Sequence, residues 1–297
     1  MRNYESTEKA HVDFHSEFRI PNSEFRIRKM INSKSNPKIK EIRLLKQAKH
    51  RQVRGAFFVE GVRLVEEALR SAPLFLRIVY SPKLEENPRG AALLSLARRK
   101  LPGVEWLYVS DEALDSLSDT QAHQGVLAVL GKWESRWEDL WKGEGLVLVL
   151  CELQDPGNLG TIFRVAEAGR AAGLVLSRGT LDPYSPKVVR ASMGSLFRLP
   201  FLVNQNPLDC LAVLRSRGYR VWATGAESGT GLWEADLTPP TAVLFGQEGA
   251  GLHRDLREAT DGTITIPMNT EVNSLNVAVS AGLVVYEALR QNSALSL

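Results

Sequence analysis

The chain has little cysteine and no long apolar run. Its 297 residues include two cysteines, Cys151 and Cys210, and five histidines. Two cysteines are too few for a disulfide framework, and their spacing fits no metal-ligand motif, so we expect no metal site. No apolar run approaches the ~18 residues of a transmembrane helix, and the N-terminus lacks the apolar core of a signal peptide. The sequence therefore predicts a cytoplasmic protein with no membrane-spanning segment.

Two common nucleotide-binding motifs are also missing. Gly246-Gln-Glu-Gly-Ala-Gly251 has its glycines in the wrong order for the G-x-G-x-x-G fingerprint of dinucleotide-binding proteins. No Lys-Ser or Lys-Thr pair follows that segment to make a P-loop. A nucleotide-dependent dehydrogenase and an ATP-binding protein are both disfavoured.

The charge is unevenly distributed along the chain. The net charge is +3, but residues 146–297 contain 12 Lys and Arg against 14 Asp and Glu, whereas residues 1–145 contain 25 against 20. Eight basic residues lie close together near the start, with Glu41 as the acidic residue among them: Lys34, Lys38, Lys40, Arg43, Lys46, Lys49, Arg51 and Arg54. Such a cluster favours a polyanionic partner. A solvated helix face explains it equally well, so this feature alone leaves both interpretations open.

At 297 residues the chain is long enough for two domains with buried cores, and its patterns divide it into four parts. Residues 1–30 carry a near-tandem repeat, Ser16-Glu-Phe-Arg-Ile20 and Ser23-Glu-Phe-Arg-Ile27, with no period that would bury a face. We expect this extension to be disordered, or to result from a start codon placed upstream of Met30. Residues 31–130 alternate short strand and helix patterns, which predicts a small α/β domain.

Residues 131–145 are interpreted as a linker and residues 146–297 as a second domain. Trp133, Trp137 and Trp141 recur every four residues in the linker, which predicts an amphipathic helical segment that docks onto a domain. In the second domain, wholly apolar strands separated by helices predict a parallel sheet covered on both faces. Ligands of such open α/β sheets bind at the carboxyl ends of the strands.

Two loops of the second domain have the composition of a binding site. In the first, Asp155-Pro-Gly-Asn-Leu-Gly-Thr-Ile-Phe-Arg164, the Pro-Gly pair makes a turn and Asn158 is a candidate N-cap for the helix that carries Arg164. In the second, Leu244-Phe-Gly-Gln-Glu-Gly-Ala-Gly-Leu252, the glycines permit close backbone approach around Glu248. Each loop alone is also explained by an ordinary capped or tight turn.

A third loop is the most informative stretch of the chain. Ile266-Pro-Met-Asn-Thr-Glu-Val-Asn-Ser-Leu-Asn276 follows a short β-branched run and precedes an apolar helix, for which Asn273 or Ser274 is a candidate cap. A capped helix is the simplest explanation. However, the three polar side chains of Asn273, Ser274 and Asn276 exceed what capping requires. A crevice lined by these groups suits a small polar ligand.

In this order and at these separations, the three loops resemble the signature motifs of the SpoU family of RNA ribose 2′-O-methyltransferases, within the SPOUT superfamily. The resemblance covers most of residues 146–290 and includes the segment Pro186-Lys-Val-Val-Arg-Ala-Ser-Met-Gly-Ser-Leu-Phe-Arg-Leu-Pro200. Gln247 departs from the Asn that is common in such loops but retains an amide. The matching positions are Asn158, Gly160 and Arg164 in the first motif, Gly246, Glu248 and Gly249 in the second, and Pro267, Ser274, Leu275 and Asn276 in the third.

The resemblance implies a deep trefoil knot, S-adenosylmethionine as cofactor, and a homodimer whose sites use residues from both subunits. A dimer agrees with the almost wholly apolar C-terminal helix, which needs cover on several sides. By motif matching, seven residues would bind the cofactor, largely through backbone groups: Thr224, Gly225, Gly246, Gly251, Ile266, Met268 and Leu275. Five residues would be catalytic or bind substrate: Asn158, Arg164, Glu248, Ser274 and Asn276. No metal is implied.

The resemblance also suggests roles in methyl transfer to a ribose 2′-oxygen, which develops negative charge as its proton leaves. Family proposals cast the Arg that matches Arg164 as the general base, but a guanidinium is a poor base because it stays protonated in proteins. We therefore expect Arg164 to stabilise the developing alkoxide or clamp a phosphate, with an activated, desolvated Arg as the alternative. Asn158 would orient Arg164 or the ribose, and Glu248 would hold Arg164 or a substrate group. Ser274 and Asn276 would bind a substrate phosphate or order the loops.

Residues 31–130 resemble the ribosomal-protein-like substrate-binding domain of the rRNA-modifying family members. This resemblance depends on Asn36-Pro-Lys-Ile-Lys40, Phe58-Val-Glu-Gly-Val-Arg-Leu-Val-Glu-Glu67 and Gln124-Gly-Val-Leu-Ala-Val129. We therefore expect RNA methylation, with 23S rRNA as the first candidate substrate. A tRNA 2′-O-methyltransferase and a catalytically inactive RNA-binding protein are the alternatives, and the intact motifs count against the second.

Overall fold

The structure is a computed structural model that describes residues 29–71, 73–119, 122–143, 145–226, 229–238, 240–269 and 271–294. The expectation for residues 1–30 lies outside these ranges for all but the last two residues. Within the described ranges, no helix is long and apolar enough to cross a membrane.

The N-terminal domain is a four-stranded sheet with helices packed against it. Its strands are β1 (Ala56–Glu60), β2 (Phe75–Tyr80), β3 (Glu105–Tyr108) and β4 (Val126–Gly131). Its helices are α1 (Pro37–Leu44), α2 (Ala48–Arg54), α3 (Val62–Ser71), α4 (Pro82–Glu86), α5 (Pro88–Lys100) and α6 (Asp111–Asp115). The strand order is β1-β4-β2-β3, with β4 antiparallel to β1 and β2 and with β3 parallel to β2. The small α/β domain predicted from the sequence is confirmed.

The first two helices of this domain, α1 and α2, are separated by a turn before Gln47, whose backbone is extended (φ −94°, ψ 133°). The turn is stabilised by Arg51 on α2, which donates hydrogen bonds to the carbonyl oxygens of Leu45 and Lys46 at 2.9 and 2.8 Å. These bonds satisfy carbonyl groups that the end of α1 leaves without a helical partner.

The segment between the domains contains one short helix, α7 (Trp137–Leu140). Trp137 in α7 and Trp141 just after it stack with ring centroids 5.2 Å apart. Both pack against the buried cluster that contains Val147 and Leu211, which agrees with the predicted docking. Trp133 precedes the helix and packs against Tyr184 and Phe57, with centroids 5.4 and 5.8 Å apart. Trp133 therefore lies outside the predicted helix, but its ring packs as predicted and contacts both domains.

The C-terminal domain is built on a seven-stranded sheet. Its strands are β5 (Val147–Leu150), β6 (Gly173–Ser177), β7 (Phe201–Gln205), β8 (Arg220–Thr224), β9 (Thr230–Gly231), β10 (Thr241–Phe245) and β11 (Gly262–Thr265). Its helices are α8 (Pro156–Ala168), α9 (Pro186–Ala191), α10 (Pro207–Ser216), α11 (Arg254–Glu258) and α12 (Val277–Ala294). Every paired strand runs parallel to its neighbour, in the order β7-β6-β5-β10-β8-β11-β9.

Helices cover both faces of this sheet, as the apolar strands predict. Leu148 of β5 belongs to the same buried cluster as Phe163 of α8 and Val284 of α12. Its neighbour Val147 belongs to a second cluster with Leu211 of α10. Successive residues of a strand point to opposite faces, so an apolar residue at every position buries both sides.

The strand order brings the three sequence motifs to one edge of the sheet. β5, β10, β8 and β11 are consecutive neighbours and run parallel, so the loops after them leave from the same edge. These loops begin at Cys151, Gly246, Gly225 and Ile266. The ligand position predicted at the carboxyl ends of the strands is therefore the place where the motifs meet.

Candidate active site

A chain of hydrogen bonds joins the three motifs at this edge. Asn158 of α8 donates from Nδ2 to Oε1 of Glu248 at 3.0 Å, and its Oδ1 accepts from Nδ2 of Asn276 at 2.8 Å. A carboxylate only accepts hydrogen bonds, so it determines which way the Asn158 amide points. Glu248 and Asn276 lie 90 and 118 residues from Asn158 in the chain. We call Glu248, Asn158 and Asn276 the polar array.

The first motif is anchored by a different cap from the predicted one. The sequence predicts Asn158 as the N-cap of α8, but Asp155 takes that place and accepts a hydrogen bond from the Asn158 backbone N–H at 2.7 Å. Pro156 fixes the start of the helix one residue after Asp155, because its φ is already helical. Asn158 therefore lies in the first turn, where its side-chain amide is available to the rest of the polar array.

The third motif is also capped differently. Asn276 caps α12 and accepts a hydrogen bond from the backbone N–H of Ala278 at 2.9 Å, where the sequence predicts Asn273 or Ser274 as the cap. The helix begins at Val277, later than predicted. The same Asn276 amide thus starts the helix with its oxygen and binds the polar array with its nitrogen.

Glu248 stays charged in this setting. Burial raises the pKa of its carboxyl, but hydrogen bonds from Asn158 and from the backbone N–H groups of Gln154 and Asp155 outweigh that effect, and the pKa lies below its ordinary 4.5. The two backbone bonds measure 3.1 and 3.3 Å. Their donors come directly before α8, so the carboxylate also lies near the positive end of that helix dipole. Glu248 is therefore an anionic acceptor that orders the first motif.

Arg164 does not reach the polar array of its own chain. It lies six residues after Asn158 on α8, roughly 9 Å further along the helix and about 120° around it. Its side chain is exposed and forms no hydrogen bond or ion pair with any residue in the described ranges. Glu248 and Asn158 instead bind each other. Within one chain, Asn158 therefore cannot orient Arg164 and Glu248 cannot hold it. The other expected roles remain: Asn158 orients the ribose, and Glu248 holds a substrate group.

The second motif forms a closed glycine loop. Backbone hydrogen bonds join Gln247 and Gly251 in both directions, with N···O distances of 3.1 and 2.9 Å. A Cβ on Gly246 would lie 2.1 Å from the carbonyl carbon of Gly251, so glycine alone fits there. Gly249 and Gly251 have φ of +90° and +71°, a region that favours glycine. The close backbone approach predicted for this loop is confirmed.

Thr224 and Gly225 follow β8, between the strands that lead into the second and third motifs. Oγ1 of Thr224 donates to the carbonyl oxygen of Leu244 at 2.8 Å, and the Gly225 N–H donates to that of Ile264 at 3.1 Å. Both residues are half-buried. These bonds fix the end of β8 to its neighbours β10 and β11 and hold the backbone of this loop at the sheet edge.

The third loop presents free backbone donors. Ile266, Met268 and Leu275 are half-buried, whereas Ser274 is exposed. The backbone N–H groups of Met268, Ser274 and Leu275 form no hydrogen bond with residues in the part of the chain that the structure describes, and neither does the Ser274 hydroxyl. Backbone donors without a protein partner bind water or a ligand. The loop can therefore hold polar groups of a ligand through its main chain.

A groove of about 680 Å³ lies beside the polar array, lined by residues of α8 and α12. Asn158 and Asn276 contribute to its lining. Three large apolar side chains on it are more than half exposed: Trp233 at 55%, Val279 at 52% and Tyr286 at 51%. The sequence predicts that α12 needs further cover, but no pattern points to Trp233, which follows the two-residue strand β9. Grouped exposed apolar side chains mark an interaction surface.

Both cysteines are free thiols and buried. Burial raises the pKa of the Cys151 and Cys210 thiols to about 12, which makes both of them inert. Among the residues that the structure describes, no three His, Cys, Asp or Glu side chains lie together as a metal ion would require.

Two protein families match separate parts of the chain. Residues 145–286 match the SpoU rRNA Methylase family. Residues 36–128 match the MRM3-like substrate binding domain. The first match contains the polar array and the glycine loop, and the second contains β1, β2, β3 and the first half of β4.

Relatives of the chain span both domains. It is 38% identical over 267 residues to an uncharacterized tRNA/rRNA methyltransferase of Synechocystis sp.. The aligned region covers 90% of this chain and 95% of the relative. It is 32% identical over 258 residues to the 23S rRNA (guanosine(2553)-2′-O)-methyltransferase RlmP of Bacillus subtilis, with 87% of this chain and 98% of the relative covered.

Solved structures show the same architecture. An rRNA methyltransferase from Sinorhizobium meliloti has a TM-score of 0.77 and 33% identity, covering 88% of this chain and 97% of its own. The SpoU methyltransferase AviRb from Streptomyces viridochromogenes, in complex with AdoMet, has a TM-score of 0.79 and 29% identity, covering 87% and 98%. With its three motifs joined at one sheet edge and relatives aligned over almost their whole length, the chain belongs to the SpoU rRNA methylase family.

Proposed function

We infer that the protein is an S-adenosylmethionine-dependent methyltransferase that modifies a ribose 2′-hydroxyl in ribosomal RNA. The observation that carries this proposal is the polar array, because it unites Glu248, Asn158 and Asn276 from three distant motifs at the ligand edge of the sheet. The relatives supply the reaction class, since one of them is named as a 23S rRNA 2′-O-methyltransferase and a similar solved structure contains AdoMet.

The loops at the sheet edge suit the cofactor. When bound, S-adenosylmethionine supplies an electrophilic methyl group for in-line transfer to the ribose oxygen. The closed glycine loop allows close approach of main-chain groups. The N–H groups of Met268 and Leu275, which have no partner among the described residues, are available as donors. The residues that would hold the cofactor are Thr224, Gly225, Gly246, Gly251, Ile266, Met268 and Leu275.

The other part of the mechanism is to orient the ribose and to stabilise charge. Asn158 and Asn276 have fixed amide orientations because each is bound on two sides, which preorganises them for substrate. The exposed Ser274 hydroxyl can bind a substrate phosphate or ribose hydroxyl. As the 2′-hydroxyl proton passes to solvent water, negative charge develops on the oxygen, and Arg164 stabilises that charge or clamps a neighbouring phosphate.

We also propose that the chain forms a homodimer through the groove between α8 and α12. A second copy would cover the exposed side chains of Trp233, Val279 and Tyr286. Their exposure supports the expectation that α12 is covered by another subunit. Arg164 projects from α8 without a partner in the described part of its own chain, so it is available to a site shared with the second subunit. The dimer would thus bring Arg164 of one subunit to the polar array of the other.

The substrate is proposed to be 23S rRNA, which also implies the cytoplasmic location. The match of residues 36–128 to a substrate-binding domain and the relation to RlmP support a large RNA over tRNA.

The deep trefoil knot that the resemblance implies belongs to the same proposal. It is supported by the strand order, in which β10 lies between β5 and β8, and by the return of α12 onto α8.

The proposal is tested by methyl transfer in solution. Purified protein is incubated with S-adenosylmethionine that carries a tritiated methyl group and with RNA from a strain that lacks the gene. We expect label in 23S rRNA and none in tRNA. Label in tRNA alone would favour the tRNA methyltransferase, and RNA binding without any label would favour the inactive RNA-binding protein.

A further inference from the structure

Arg51 is a buried charged residue that the proposed reaction does not use. It is 3% exposed on α2 of the N-terminal domain. Its Nε and Nη2 atoms lie 2.8 and 2.7 Å from Oδ2 of Asp182, which belongs to the C-terminal domain. Nη1 donates to the carbonyl oxygens of Leu45 and Lys46. The sequence groups Arg51 with basic residues that would face RNA, and the structure corrects this because its guanidinium is buried between the domains.

Asp182 is held in place by Tyr184, whose ring packs at the junction between the domains. Its Oδ1 accepts a hydrogen bond from the Tyr184 backbone N–H at 3.0 Å. The Tyr184 ring packs against Phe57 of β1 and against Trp133, with centroids 4.8 and 5.4 Å apart. The ion pair therefore lies beside a packed junction, and its geometry is restrained on both sides.

The loop that carries Asp182 leads directly to the polar array. The loop follows β6 at the same sheet edge, and within it the Gly179 carbonyl oxygen accepts a hydrogen bond from Nε2 of Gln154 at 2.6 Å. The backbone N–H of Gln154 in turn donates to Glu248. Two loops in contact thus join Arg51 in the RNA-binding domain to Glu248 in the active site.

A buried ion pair is a poor source of stability, because removing two charges from water offsets most of their attraction. The side chains of Arg51 and Asp182 are 4% and 25% exposed, so Arg51 bears most of that cost. What the pair does supply is a fixed geometry, since a guanidinium bound on several sides permits one orientation of its partner. Lys49, on the same short helix as Arg51, is exposed and faces solvent.

We propose that Arg51 is a positioning residue, whose pair with Asp182 fixes the RNA-binding domain relative to the polar array and so determines which ribose reaches the methyl group. The proposal rests on the proposed function. RNA held by the N-terminal domain is presented at one distance and orientation because the domains meet through this pair. Without it, RNA and cofactor still bind, but the 2′-oxygen is misplaced, and a misplacement of ~1 Å can lower a rate about 100-fold.

The test uses the full chain with two variants. Asp182→Asn keeps the shape of the side chain and removes its charge, and Arg51→Met removes the guanidinium. Arg215→Met is the matched control, because Arg215 forms a 2.8 Å ion pair with Asp261 inside the C-terminal domain, at the opposite edge of the sheet. Four quantities are measured for each protein: the affinity for S-adenosylmethionine, the affinity for rRNA, the single-turnover rate at saturating rRNA, and the map of methylated riboses.

We expect both variants to keep their affinities for cofactor and rRNA and to lose about 10- to 100-fold in the saturated rate, with methyl groups spread over neighbouring riboses. Arg215→Met should match the wild type in all four quantities. Should Arg51→Met fail to fold, Asp182→Asn decides the question. A wild-type rate and map for Asp182→Asn would overturn the positioning role, as would a parallel loss of both affinities. Absence of methylation by the wild type in the same assay contradicts the proposed function instead.

Discussion

Nδ2 of Asn158 and Oε1 of Glu248 lie 3.0 Å apart, although 90 residues separate them in the chain. The bond exists because Asp155, and not Asn158, caps α8, which leaves the Asn158 amide free. Glu248 then accepts from the amide and from the backbone N–H groups of Gln154 and Asp155. The first and second motifs are thus one hydrogen-bonded unit, with a charged acceptor at its centre.

Glu248→Gln should lower the single-turnover rate by about 10- to 100-fold, because hydrogen bonds to a charged group contribute about 1.5–3 kcal/mol each and an amide nitrogen would face the backbone donors. The variant should also change how stability depends on pH. The pKa of Glu248 is lowered by folding, so its contribution is fully present above the ordinary 4.5 and is lost as pH falls through the lower folded value. Thermal unfolding across pH should show the wild type and the variant converging in acid. A constant difference at every pH would contradict the charged state of Glu248.

Gly246→Ala should lower the affinity for S-adenosylmethionine. The added Cβ would lie 2.1 Å from the carbonyl carbon of Gly251, so the glycine loop must open. Overpacking of this kind costs about 1–3 kcal/mol, or about 10- to 100-fold in affinity. Gly103→Ala is the control, since a Cβ there has no atom within 4 Å. Calorimetric titration with S-adenosylmethionine compares the two, and equal affinities would show that the loop does not form the cofactor site.

Arg164→Ala should lower the single-turnover rate by about 10²–10³ if the guanidinium stabilises charge on the 2′-oxygen. Arg164→Lys should also be slow, because one ammonium group cannot reproduce a planar fork of donors. Cofactor affinity should stay unchanged in both, since Arg164 is exposed and lies away from the polar array of its own chain. Quench-flow measurement of the methylation step checks this, and a loss confined to cofactor affinity would place Arg164 in a different role.

The double variant Lys40→Gln, Lys49→Gln should bind RNA more weakly, and its RNA affinity should depend less steeply on salt concentration. Both lysines are exposed and unpaired in the described part of the chain, whereas Lys46 and Arg54 are engaged with Asp119 and Glu41. Each lost phosphate contact should reduce the slope of log K against log salt by roughly one unit. Lys142→Gln, which removes an exposed lysine from the segment between the domains, serves as the control. A wild-type slope for the double variant would favour the solvated helix face.

Tyr286→Glu should convert the proposed dimer into a monomer and abolish methylation, because a charge would be buried where apolar side chains meet. The control is Leu208→Glu on α10, since Leu208 is 49% exposed and Tyr286 is 51% exposed. Sedimentation velocity measures the assembly state of each protein. A monomeric and active wild type, or a Tyr286→Glu variant that stays dimeric, would contradict assembly through the groove.

Much of the fold of the C-terminal domain is readable from the sequence because its central strands β5, β6 and β10 are almost wholly apolar. Such strands must be buried on both faces, and a parallel sheet between helices is the arrangement that does this. The helix caps are harder to predict, because Asp155 and Asn158 are both good caps and the local sequence does not distinguish them. Glycine spacing, by contrast, led directly to the closed loop at Gly246.

The features that the sequence could not predict arise from contacts between the domains. Arg51 has the same appearance in the sequence as the exposed Lys49, and its burial follows from a partner 131 residues away, Asp182. Trp133 fits the same four-residue spacing as Trp137, yet the helix begins after it. The strand order that gathers the motifs depends on pairing between distant segments, which local periodicity does not encode.

The position of the transferred methyl group tests the proposed function most directly. 23S rRNA labelled by the purified protein is digested with alkali, which cleaves next to every free 2′-hydroxyl but not next to a 2′-O-methyl group. We predict that the tritium appears in an alkali-stable dinucleotide from one site, with or without EDTA. Label in mononucleotides would mean base methylation, and label lost in EDTA and restored by Mg²⁺ on folded RNA would mean a metal-dependent reaction. Either result would contradict the metal-free ribose methyltransferase proposed for this chain.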